Sequence, residues 1–137
     1  MTTNVGMPLH GRCLCGQVHY QILKPIDRVY HCHCETCRKA HGSAFSSVAA
    51  VAEDAMVISG TEYLSRYESS PGKWRYFCRH CGTQVYARRS EARHYILRLG
   101  SLDTELDFPE QEHIWLSDKA SWYELHRQCP EYQQSGP

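Results

Sequence analysis

The chain has 137 residues with 15 basic and 15 acidic side chains, the size of one domain, and it lacks the basic excess with which duplex-binding domains neutralise phosphates. No stretch approaches the roughly 20 apolar residues that span a bilayer, and residues 1–7 have neither the basic start nor the apolar run of a secretory leader, so a cytoplasmic, reducing setting is expected. There, 8 cysteines and 9 histidines favour metal thiolates over disulfides.

In chain order, residues 1–7 are small or polar and read as a tail. Cys13-Leu14-Cys15-Gly16 precedes the first strand signal, in which Val18, Tyr20 and Ile22 alternate with Gln17, His19 and Gln21. His31-Cys32-His33-Cys34-Glu35-Thr36-Cys37 follows, and Glu35 to His41 reads as the one short helix, with Gly42 placed to cap it. Val48 to Val51 is a short apolar run, and Met56-Val57-Ile58 stops at the turn signal Ser59-Gly60, followed by Tyr63-Leu64. Trp74 to Phe77 leads into Cys78-Arg79-His80-Cys81-Gly82, and Gln84 to Ala87 leads out. His94 to Leu99 is a further strand, stopped by Gly100-Ser101, and His113 to Leu116 a late edge strand. Many short strands at close spacing indicate an all-β sandwich or open barrel-like sheet.

The cysteines carry the chemistry. In Cys78-X-X-Cys81-Gly82 the turn presents two thiolates to one ion, and glycine lets the backbone curl beneath them. The matching half comes from Cys13 and Cys15, which point to the same side of an extended segment. Cys13, Cys15, Cys78 and Cys81 then form a closed four-thiolate zinc site. Cys32, Cys34 and Cys37 supply three ligands, one short of a tetrahedron, which is the arithmetic of catalytic zinc. Its open position suits a thiol. A neighbouring histidine, His31 or His33, would instead close the site and make it structural, and pairing with Cys129 is a weaker alternative to a free thiol there. His41 and His80, beside the clusters, are candidates for supporting roles. The remaining histidines read as surface or packed side chains.

Gly11-Arg12-Cys13-Leu14-Cys15-Gly16-Gln17-Val18, then His31 to Lys39 with Gly42 and Phe45, then Phe77-Cys78-Arg79-His80-Cys81-Gly82-Thr83 resemble the glutathione-dependent formaldehyde-activating enzyme family, shared with centromere protein V. His113-Ile114-Trp115 and Lys119-Ala120-Ser121-Trp122 resemble its C-terminal segment. The resemblance spans residues 8–126 as one zinc domain, leaving 1–7 and 127–137 as tails. It implies a mainly β fold, the β-tent of antiparallel sheets with one short helix. It also implies two zinc ions: a structural one on Cys13, Cys15, Cys78 and Cys81, and a catalytic one on Cys32, Cys34 and Cys37. The implied activity is that of a carbon–sulfur lyase (S-hydroxymethylglutathione synthase-like), with a small thiol or thiol–aldehyde adduct as partner. Arg38, Lys39, Arg88 or Arg89 could receive the carboxylates of glutathione. The alternative is a zinc-stabilised binding module without chemistry, in contact with protein or nucleic acid.

Overall fold

The computed structural model describes residues 7–125 and 130–136. Ten strands form two sheets. The smaller sheet has the order β1 (Leu9–Arg12), β2 (His19–Ile22), β5 (Met56–Ser59). The larger runs β10 (Gln111–Ile114), β3 (Val29–Cys32), β4 (Ser46–Ala52), β9 (His94–Arg98), β8 (Gln84–Arg89), β7 (Lys73–Cys78), β6 (Leu64–Ser70). The architecture is mainly β, with one short helix, as the strand signals and the resemblance imply. All pairings are antiparallel except β10 with β3.

The period-2 signal of β2 is borne out: Tyr20 and Ile22 are buried and His19 and Gln21 exposed. With Leu9, Val18, Val29, Val51, Val85 and Leu97 they belong to the main core, which draws on both sheets. Two strands carried too little signal to be read. Leu9-His10-Gly11-Arg12 and Val29-Tyr30-His31-Cys32 are only four residues each, and their mixed composition gains strand form from the neighbours they pair with. The late strand sits at a sheet edge, as expected, but spans Gln111–Ile114, because Trp115 turns into the left-handed region (φ 59°) and ends it. Its open edge is met by the segment after residue 130: Tyr132 N–H donates to His113 O (2.9 Å) and Trp115 N–H to Gln134 O (2.9 Å).

The helix, α1 (Glu35–His41), has the expected bounds. Cys34 Sγ accepts the Cys37 N–H (3.3 Å) at its start, and left-handed Gly42 returns its N–H to Arg38 O at its end. Glu35 in the first turn and Arg38, Lys39 and His41 in the last match the helix dipole. This short element carries Cys37, is capped by Cys34 and packs against β4.

Candidate metal centres

Cys13 follows β1, and Gly16 N–H donates to Cys13 O (3.0 Å) to close its turn, with Gly16 at φ 81°. Cys78 ends β7, and Gly82 N–H donates to Cys78 O (2.8 Å) at φ 78°, which turns Cys81 back toward it. Thr83 ties the two turns together. Its Oγ1 accepts the Leu14 N–H (3.0 Å) and lies 3.2 Å from Cys81 Sγ, while its carbonyl accepts the Cys78 N–H (3.0 Å). The four sulfurs lie within 4.8 Å of one another, with Cys13–Cys15 at 3.6 Å and Cys15–Cys78 at 3.7 Å. A zinc–sulfur bond of about 2.3 Å gives a tetrahedron with edges of about 3.8 Å. The donor set fits a closed thiolate site, assembled from segments 63 residues apart.

Cys32 ends β3, Cys34 caps α1 and Cys37 lies in its first turn, and these three sulfurs also fall within 4.8 Å of one another. Three adjacent sulfurs cannot share full negative charge without a cation. Hydrogen bonds from Cys32 and Cys34, then the Arg75 guanidinium, pull Cys37 well below the usual thiol range. Hydrogen bonding to Cys34 and Cys37, with burial, pushes Cys32 up. A dication would relieve this conflict.

Among the described residues no histidine nitrogen or carboxylate joins this group. His31 is spent elsewhere, Nδ1 on Ser47 Oγ (2.9 Å) and Nε2 on Gln111 Oε1 (2.7 Å). His33 Nε2 pairs with His113 Nδ1 (2.8 Å), and burial, with His113 and His31 nearby, lowers it to about 4. Phe45 and Tyr123 pack on these rings. His33 is thus a buried neutral side chain packed among His113, Phe45 and Tyr123. Cys129 and His126 lie outside the described residues.

Behind Cys37 is a group of buried cations that the sequence did not reveal. Arg75 (2 % exposed) places Nη2 3.7 Å from Cys37 Sγ. Arg98 (5 % exposed) donates from Nη1 to Ser46 Oγ (3.2 Å). Neither pairs with a carboxylate among the described residues. Burial lowers His41 to about 4, helped by the positive charge of Arg98, and lowers Lys73 below its ordinary value. A cavity of about 720 Å³ opens here, walled by Ala40 and His41 of α1, Ser46, Arg98, and Cys13 and Thr83 of the four-cysteine site. It borders the four-cysteine site and the C-terminal half of α1.

The family model for glutathione-dependent formaldehyde-activating enzymes matches residues 8–118. The chain belongs to that family. It is 30% identical over 131 residues to a Halomonas elongata protein named "Putative glutathione-dependent formaldehyde-activating enzyme", covering 87% of this chain and 82% of that protein. It is 34% identical over 76 residues to a Schizosaccharomyces pombe protein named "Uncharacterized lyase", covering 56% and 54%. A Rhodobacter sphaeroides protein of known crystal structure superposes with a TM-score of 0.58 at 25% identity, covering 70% of this chain and 89% of that one.

Within this family framework, most of the basic residues singled out in the sequence are otherwise engaged. Arg38 Nη1 donates to Asp118 O (3.0 Å). Arg88 is paired with Glu53 and stacked over Tyr95 at 4.8 Å. Lys39 faces Glu35 at 3.9 Å. His80 packs on Tyr63, ring centroids 5.2 Å apart. Arg75 and Arg98 gave no signal because arginine in a strand is ordinarily solvent-facing, and only their tertiary neighbours make them buried. No helix among the described residues is long and apolar enough to cross a membrane.

Proposed function

We propose that the chain is a zinc-dependent, carbon–sulfur lyase-like enzyme of the cytoplasm that condenses a small thiol, such as glutathione, with formaldehyde or a related aldehyde. The observation that carries this reading is the convergence of Cys32, Cys34 and Cys37 with no fourth ligand among the described residues. Cys13, Cys15, Cys78 and Cys81 hold a second, structural zinc. When bound, the ion on the three-cysteine group supplies a positive charge that favours ionisation of an incoming thiol.

The chain's own residues do the rest. Cys32, Cys34 and Cys37 fix the ion at the junction of β3 and α1. Arg75, donating to Cys37 Sγ at 3.7 Å, tempers the negative charge of that sulfur. The neighbouring cavity gives the thiol and aldehyde a common, confined place, which replaces a bimolecular encounter by a bound one. In the reaction the thiol sulfur attacks the carbonyl carbon and a carbon–sulfur bond forms. The C=O π pair moves to oxygen, which takes up a proton equivalent to the one the thiol lost. Buried donors beside the site steady the oxygen as its charge develops.

Turnover of glutathione with formaldehyde, followed by NMR in wild type and Cys34→Ser, tests this. Loss of at least about a hundredfold in rate, one zinc lost of two, and an unchanged far-ultraviolet spectrum are expected, as for removal of a ligand from a catalytic ion. Turnover absent in the wild type, or undiminished in Cys34→Ser, would overturn it. The binding-module reading draws support from the dense packing of His33, His113, Phe45 and Tyr123 on one another. Wholesale unfolding of Cys34→Ser would favour that module.

A further inference from the structure

Among the described residues two arginines, Arg75 and Arg98, are buried, and no carboxylate is buried with them. A buried charge needs a counter-charge close by. The thiolates can supply it, and Arg75 reaches one: its Nη2 lies 3.7 Å from Cys37 Sγ, a residue 38 positions away in the chain. The charge of Cys37 also acts on Lys73 and Arg98. Of the three cations, Arg75 is the one at hydrogen-bonding distance from that sulfur.

The placement of Arg75 follows from β7. Lys73, Arg75 and Phe77 alternate along it with Trp74, Tyr76 and Cys78, and a strand sends alternate side chains to opposite faces. Tyr76 and Cys78 pack in the main core. Arg75 and Phe77 line a cleft with Glu35, Thr36, Lys39 and Ala40 of α1, so this face of the strand meets the helix that carries Cys37. Arg75 is paired on both sides, with Tyr67 of β6 and Ala87 of β8. Its backbone is thus fixed in mid-sheet, and the guanidinium is in place before any ligand arrives.

A dication on three thiolates leaves one net negative charge, and a fourth thiolate makes two. In a buried setting that added charge is opposed unless a cation stands close, whereas a neutral fourth ligand meets no such opposition. We propose that Arg75 is a positioning residue of the three-cysteine centre that offsets the charge on Cys37, so that the centre prefers an anionic thiolate to a neutral fourth ligand. A thiol entering in this way leaves its proton to solvent. This rests on the thiol–aldehyde reading only for the fourth position being open to an outside ligand.

The test uses the full chain saturated with cobalt(II), whose visible bands report a change of ligand, and titrates it at one fixed pH with 2-mercaptoethanol and with imidazole. The ratio of thiol to imidazole affinity should fall at least about tenfold in Arg75→Met, as for loss of a charge-assisted hydrogen bond. Arg75→Lys keeps the charge and should lose less than about threefold. Methionine is long and packs well when buried, so it would replace a mere brace for α1 better than lysine does. An unchanged ratio in Arg75→Met, a ratio lost equally in Arg75→Met and Arg75→Lys, or a wild type that takes neither ligand would overturn the role. Should Arg75→Met fail to fold, Arg75→Gln carries the same comparison. Turnover of glutathione with formaldehyde is read separately. Absent turnover with a retained, Arg75-dependent thiol preference would remove the enzyme reading alone, and turnover with an Arg75-independent preference would remove this role alone.

Discussion

At the scale of single residues, the site is governed by where charge sits. His41 stays neutral because burial, with Arg98 beside it and Arg75 and Lys73 near, lowers it to about 4 from 6.5, against the opposing pull of Cys37. Between those values the unfolded chain binds a proton that the folded chain does not. Stability therefore falls as pH drops from about 6.5 toward 4. His41→Gln removes this proton linkage, so its urea midpoint should decline less steeply than that of the wild type between pH 7 and 5. Acid release of metal acts on both proteins, and the difference in slope isolates the histidine. Parallel slopes would show that folding leaves the proton affinity of His41 unchanged. The cysteines were legible because their spacing is itself the signal: two pairs each followed by glycine, and a triplet within six residues. Arg98 was not, because an arginine closing a strand looks the same whether it faces water or a cavity.

At the scale of elements, turns position the ligands as much as strands do. Gly60, at φ 79°, follows β5, and a Cβ there would lie 1.9 Å from the Gln17 carbonyl oxygen. Backbone strain and this clash act together, so Gly60→Ala should lower stability by about 2–3 kcal/mol, read as a lower urea midpoint with unchanged m value. An unaltered midpoint would mean that the loop relaxes freely. Where periodicity was strong the element was readable: β2 from its alternation, α1 from its cap at Gly42. β1 and β3 were invisible because each is four residues of mixed polarity and owes its form to pairing, β1 with β2 and β3 with β4 and β10. The ending of β10 at Ile114 depended on a left-handed Trp115 that no local rule anticipates.

At the scale of the whole molecule, the four-cysteine group joins the two sheets. Cys13 leaves β1 of the smaller sheet, and Cys78 ends β7 of the larger. Metal bound there replaces a long-range contact between segments whose closure is otherwise opposed by chain entropy. Apparent zinc binding at such sites is worth on the order of 10 kcal/mol, comparable to the whole stability of a domain, about 5–15 kcal/mol. Cys78→Ser should then yield unfolded, zinc-poor protein, whereas a strong chelator should unfold the wild type in a single transition, both seen by circular dichroism with metal analysis. A cooperative melt in Cys78→Ser close to that of the wild type would show that the sheets hold together without the ion.

The sequence by itself determined the seven clustered cysteines, their division into four and three, the helix that carries one of them, and the family. Each of these is encoded in local spacing, which a chain displays before it folds. Tertiary structure alone decided that no histidine among the described residues completes the three-sulfur group, that Arg75 and Arg98 are buried, and that a cavity borders the four-cysteine group and α1. These depend on packing of β7, β9 and α1, distant in sequence, and burial is a property of such neighbours.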